Sequence, residues 1–323
     1  MVTADGNYTK VTVSGYADGD LHLRQADGST KAVPLVEVRR MVIDTAGPLA
    51  DFNEAERYLE QDQPQQAVSR YERALRQGTD HWPAIIRVRL LQACDRAGKF
   101  ERAVTYFLQV ARDEPQVAAR LLPTSIPGSR TPITGRVLQR LSAQVEESTD
   151  PERRLLLEIF RYEIWDKTGD RRADEQARWM ARTAVPPSIG SPAVYTLKTA
   201  ACRKLLDARE HTEALAAVNE AVKECPLDVI PDLLLLKGEI LLARASGRRD
   251  LLRAGSAFMR VAIHFADDER GARGLFWAAK MHQRIERTDK AVQLLNECLA
   301  HARVSPSLKD RAEAELARIA RHE

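Results

Sequence analysis

The stretch FNEAERYLEQDQPQQAVSRYERALRQGTDHWPAIIRVRLLQACDRAGKFERAVTYFLQVARDEP, Phe52 to Pro115, contains one helix-turn-helix written twice. In the first copy Ala67, Tyr71 and Ala74 follow a turn at Gln61-Asp62-Gln63-Pro64. In the second, Ala103, Phe107 and Val110 follow Ala97-Gly98-Lys99-Phe100, and the offset is 36 residues. Residues three and four apart share one helix face, so each copy presents a small-bulky-small stripe on its second helix. One such unit buries little by itself. A period of this length therefore predicts stacked helix pairs that share a continuous core.

The stripe returns in the second half of the chain. Ala214, Val218 and Ala221, then Ala254, Phe258 and Val261, then Ala291, Leu295 and Cys298 carry it, with anchors 40 and 37 apart. The spacing predicts helices over 193–209 and 213–224, 231–245 and 251–265, and 271–287 and 290–302. The longest of their turns is Ser246-Gly247-Arg248-Arg249-Asp250. Ser307 to Arg321 is left over as a single polar-faced helix, as expected of a cap on the open end of a stack. The middle is less regular. Pro151–Asp170 and Ala173–Thr183 form a weak pair, with Ala177 where a bulky residue belongs, and Val185-Pro186-Pro187-Ser188-Ile189-Gly190 follows as a break. Before them, Pro123, Pro127, Gly128 and Pro132 forbid a continuous helix. The longest loop of the array is expected there, ahead of a helix from Ile133 to about Val145.

These six helix pairs resemble tetratricopeptide repeats, five of them well and the pair around Ala173 poorly. The resemblance implies a mostly α fold, a right-handed α-solenoid of antiparallel helix pairs. The glycine usual near the middle of the first helix is present as Gly238, is alanine at Ala55 and Ala279, and is Leu91 in the second pair. The resemblance also implies protein or peptide binding on the concave face lined by the first helix of each pair. Family spacing places Gln92, Asp95 and Arg96, then Arg203 and Asp207, then Arg273, Lys280, Gln283 and Arg284 toward that face. The family's carboxylate clamp needs matched Lys, Asn and Arg on adjacent first helices, and that set is absent. Lys280 and Arg284 stand one turn apart, a spacing that suits either a bound carboxylate or a solvated basic face.

Upstream the period changes. In KVTVSGYADGDLHLRQADGSTKAVPLVEVRRMVID, residues 10 to 44, Val11 and Val13 alternate and so do Leu21 and Leu23. Asp27-Gly28 signals a hairpin, and Pro34 suits a strand end. Four or five short strands here resemble a small SH3-like or Sm-like β-barrel. So small a unit should pack on the first helices. The expected domains are therefore 1–47, 48–150 and 151–323, with the first junction at Thr45-Ala46-Gly47-Pro48.

Composition narrows function more by exclusion than by indication. Forty-nine basic residues against 46 acidic give a formal charge of +3, too small to demand a nucleic acid. Cys94, Cys202, Cys225 and Cys298 form no C-x-x-C, and the seven histidines form no H-x-H or H-E-x-x-H. No metal, cofactor or catalytic constellation is expected. No apolar run is long enough to span a bilayer, and the first ten residues lack the pattern of a secretory signal, which leaves the compartment open between cytoplasm and an exported mature chain. The favoured expectation is a soluble, non-enzymatic adaptor or scaffold for protein-protein interaction.

The alternative is a nucleic-acid-associated protein using the β-domain and the pairs Arg39-Arg40, Arg153-Arg154, Arg171-Arg172 and Arg248-Arg249. Interspersed acids and missing aromatic interleaving weigh against it. A third reading, an enzyme built around Pro123 to Thr134, needs converging titratable groups.

Overall fold

In the computed structural model, the described residues are 2–3, 11–25, 27–42, 49–78 and 80–321. The protein is mostly helical, with a small β-region at its N-terminal end. The expected junction Thr45 to Pro48 lies outside the described residues. Two compact units are present, Met1–Ala173 with Val185–Val194, and Asp174–Ala184 with Tyr195–Glu323.

The first unit begins with five short strands. β1 (Val2–Thr3) pairs antiparallel with β5 (Val38–Arg40), while β2 (Thr12–Ala17), β3 (Asp20–Arg24) and β4 (Thr30–Pro34) form an antiparallel meander. Alternation is as the sequence predicts: Leu21 and Leu23 are buried, and Leu21 stands opposite buried Val33. The β2–β3 turn has positive φ at both Asp18 (54°) and Gly19 (84°), a combination that matches the twist of a tight hairpin. A Cβ on Gly19 would lie 2.5 Å from Val117 Cγ2, so the hairpin tip rests directly on α5 (Pro115–Ala119). Tyr16 donates to Glu114 at 2.9 Å beside it. The β-region thus packs on the helices, as so small a unit must.

Its other attachment is ionic. β5 sits on α1 (Ala50–Glu60), α2 (Pro64–Gln77) and α3 (Trp82–Arg96) through the buried pair Glu56–Arg89, 2.8 Å apart. Arg89 also donates to the Val38 carbonyl at 2.7 Å. Glu56 accepts from the Met41 amide at 2.7 Å and from the Tyr71 hydroxyl. Both terminal nitrogens of Arg89, the Glu56 carboxylate, the Met41 amide and the Tyr71 hydroxyl find partners from another element, which lowers the cost of burying the charge, while Arg89 Nε has none among the described residues.

α4 (Phe100–Asp113), α6 (Pro132–Glu147) and α7 (Pro151–Lys167) follow, and α8 (Arg172–Arg182) lies from Asp174 onward in the second unit. In the second unit come α9 (Pro192–Asp207), α10 (His211–Glu224), α11 (Ile230–Ala243), α12 (Arg248–His264), α13 (Glu269–Arg284), α14 (Thr288–Ala300) and α15 (Pro306–Ala320). Prolines at the first turn open many of these helices, where the missing N–H costs nothing. All five well-formed stripes are buried; no residue of Ala67-Tyr71-Ala74, Ala103-Phe107-Val110 or their three counterparts is more than 5% exposed. Phe258 shows why. Its ring lies where a Cβ on Gly238 of α11 would stand, 2.4 Å from Cε1, and it stacks on Trp277 of α13 at 5.9 Å. The bulky residue therefore binds its own pair and the next one together.

One closure recurs in the turns. Asp62, Gly98, Gly169, Arg209 and Glu286 all have φ between 54° and 67°, and the next amide bonds back to the carbonyl five residues earlier, as Gln63 does to Tyr58 and Lys99 to Cys94. This is the Schellman end of a helix, and it sets the angle at which the second helix folds back. The turn after α11 is different. α12 starts at Arg248, earlier than the stripe predicts, because Asp250 accepts from the amide and hydroxyl of Ser246 and closes the turn in fewer residues.

Candidate functional site

The residues assigned to the first-helix face fall in three environments. On α3, Asp95 is committed to its own chain. Its carboxylate accepts from the Thr124 amide (2.9 Å), the Ser125 amide (2.8 Å) and the Thr124 hydroxyl (2.7 Å). The proline-broken loop is thereby fastened across α3, and a capping box between Thr131 and Thr134 then starts α6. Gln92 accepts from Arg89 at 3.0 Å, and Arg96 is exposed. On α7, Glu163 is buried, and no hydrogen-bond partner reaches its Oε2 among the described residues. Burial pushes its carboxyl up to about 7, with Asp95 and Asp166 adding to the rise and Lys167 opposing it.

The second unit carries a groove of about 330 Å³ lined by Thr196, Thr199 and Arg203 of α9, Asp232 and Leu235 of α11, and Arg273 of α13. Arg203 and Arg273, which the tetratricopeptide resemblance assigns to one face, both line this groove. Arg203 is paired with Glu239 at 2.5 Å, and Asp232 with Arg270 at 2.7 Å. Arg273 is half-buried and has no ion pair or hydrogen bond among the described residues. The groove therefore offers one uncommitted guanidinium beside an apolar floor, a combination suited to the carboxylate of an extended peptide, while the Thr199 hydroxyl donates to the Tyr195 carbonyl.

The remaining residues stand apart. Asp207 lines a separate hollow with Asp174, Arg178 and Glu210. Lys280 does hold a carboxylate, that of Glu315 on α15 at 2.7 Å. The same helix lays Arg311 over the Phe276 ring at 4.6 Å and buries Leu308, Ala312 and Ile319, so the last helix covers this end of α13. Gln283 is half-buried, and Arg284 is exposed beside Arg248 in a hollow at the α12 turn.

Sequence reasoning missed the partners. Arg203 and Glu239 are 36 residues apart, Glu101 and Arg136 35, and Lys280 and Glu315 35. Opposite charges one period apart stand on equivalent turns of neighbouring pairs, a signal available in the sequence. Of the arginine doublets, Arg40 is paired with Glu60, Arg153 bonds Gln144, and Arg172 is held by Asp170.

No helix among the described residues is long and apolar enough to cross a membrane, and no group of three His, Cys, Asp or Glu stands together as a metal set. Burial pushes the Cys94, Cys202 and Cys298 thiols up to about 11, which keeps them protonated near neutrality. Comparison with models of known protein families gave no match, and comparison with curated proteins gave none.

Proposed function

We propose that this chain is a non-enzymatic adaptor of tetratricopeptide-like architecture, and that the groove across α9, α11 and α13 holds a carboxylate-bearing peptide segment of a partner protein. The observation that supports this is Arg273, a half-buried guanidinium left without a counter-charge in a groove whose other charges are internally balanced. A peptide carboxylate would complete it, with Leu235 beside it as apolar floor. Selection from a random peptide display library on the intact chain, with an Arg273→Ala variant as counter-selection, tests the reading. Enrichment of peptides whose acidic residue or C-terminal carboxylate is required for binding, and whose affinity falls at least tenfold in Arg273→Ala, is expected. Peptides indifferent to Arg273, or no enrichment at all, would refute it.

A further inference from the structure

A second surface, formed by α12 and the end of α13, has the form of a protein-docking groove. Along α12, Leu252, Ser256, Met259 and Ile263 stand four, three and four apart, so they form one stripe about 16 Å long, three helical turns. Ile263 is 65% exposed and Leu252 38%, unusual for large aliphatic side chains on a helix whose inner face is fully packed. The stripe is not flat. Together with Met281, His282 and Ile285 from the end of α13 it lines a groove of about 310 Å³. Its floor is made by close approach of the two helices at Gly255, where a Cβ would stand 3.3 Å from Met281 Cβ.

The rim is basic. Arg260 lines the groove itself, and Leu251 and Ile285 are shared with the adjoining hollow that carries Arg248 and Arg284. None of these three arginines has an ion-pair partner among the described residues, and the one acid lining either hollow is Glu286. His282 is held below the usual histidine range by burial, and Arg287 and Lys290 add to the effect.

We infer that this stripe is the docking groove for an amphipathic helix of a partner protein that carries acidic residues on both flanks of its apolar face. A helix fits because the stripe runs straight for three turns along α12 with the end of α13 as the facing wall, the geometry of helix-in-groove recognition. The flanking acids follow from the unpaired arginines, which would steer such a helix and fix its direction. A lipid surface is disfavoured because the apolar side chains line a concavity instead of projecting from a plane. Self-association through this face would set its unpaired arginines against those of the second copy.

The test uses the full chain and a fluorescein-labelled, helix-stapled peptide of about 16 residues with leucines three and four apart and glutamates on both flanks. Its controls are the same peptide with lysines for glutamates, and phosphatidylcholine vesicles with and without phosphatidylserine. Anisotropy should show saturable binding of the glutamate peptide, at least tenfold weaker for Ile263→Glu and for Arg248→Glu with Arg284→Glu, and unchanged for Arg273→Ala, which belongs to the other groove. Ile263→Ser serves as a milder variant, and circular dichroism melts confirm that each variant folds. The inference is overturned by any of four results: no binding of the glutamate peptide, equal binding of the lysine peptide, binding indifferent to Ile263, or co-sedimentation with anionic vesicles alone.

Discussion

Glu56 and Arg89 fasten the β-region to the helices, and their removal has a magnitude and an asymmetry that follow from the structure. Both side chains are at most 3% exposed. Breaking a buried ion pair from one side costs about 3–5 kcal/mol, because the surviving charge is left in a medium that solvates it poorly. Glu56→Leu should reach the top of that range. It strands Arg89, which cannot shed its proton, and it also removes the acceptor of the Met41 amide and the Tyr71 hydroxyl. Arg89→Met should cost about 1–2 kcal/mol less, since the glutamate keeps both donors and a carboxyl can take up a proton. The double variant should be more stable than Glu56→Leu alone, because the charges leave together. It should still fall about 2–4 kcal/mol below wild type, since the Val38 carbonyl, Met41 amide and Tyr71 hydroxyl lose their partners. Amide exchange at Met41 and along β5, read by mass spectrometry beside urea melts, reports this region directly. Equal costs for the two single variants, or a double variant no better than Glu56→Leu, would refute the reasoning.

Gly238→Ala sets two effects against each other: alanine gains about 1 kcal/mol of helix propensity, while its Cβ meets the Phe258 ring at 2.4 Å, an overpacking worth about 1–3 kcal/mol. A lowered Tm is expected, recovered in part by Phe258→Leu, and a raised Tm in the single variant would sink the packing account. For Glu163, whose folded carboxyl is raised from 4.5 to about 7, the protonated form is the stabilised one, so stability is greatest below the unfolded value and declines as pH rises through 7. Glu163→Gln should flatten that decline and stabilise the first unit by about 3 kcal/mol at pH 8, as urea melts at pH 5 and 8 will show. Asp95→Ala removes the acceptor for two consecutive backbone amides, so hydrogen exchange at Thr124 and Ser125 should accelerate at least tenfold while the exchange of α6 stays slow.

The second helices were legible because each carries its apolar residues on one face only, so the three-and-four spacing stands out against polar neighbours. The first helices were harder for a physical reason. α3 and α11 are apolar almost all round, with Ile85, Ile86, Val88, Leu90 and Leu91 buried on one and Leu233, Leu234, Leu235 and Leu236 on the other. Periodicity then names no face. Only the spacing of the resembled family then assigns Arg203 and Arg273 to a face, and nothing in the sequence singles out Asp232 or the threonines beside them. Turns show the same division. Gly98 and Gly169 announce a left-handed helix end, whereas Arg209 and Glu286 adopt it at a conformational cost that only the tertiary packing supplies. The prolines of 123–132 mark a break, yet the start of its path is held by Asp95, 29 residues upstream of Thr124.

The first-helix face is largely consumed by the protein itself, and this makes the exception informative. Asp95 is spent on the loop, Arg203 on Glu239, Asp232 on Arg270, and Lys280 on the last helix. Each of these groups recovers, through an internal partner, some of the hydration it loses. Arg273 is half-buried without such recovery among the described residues, so its contribution to folding should be near zero or unfavourable. Groups kept at such a cost are characteristic of binding surfaces, where stability is traded for recognition. Arg273→Ala should therefore leave Tm unchanged or raise it, while Lys280→Ala lowers it by loosening α15. If Arg273→Ala instead lowers Tm as much as Lys280→Ala does, the guanidinium is a structural element of the fold, and the case for a bound carboxylate loses its support.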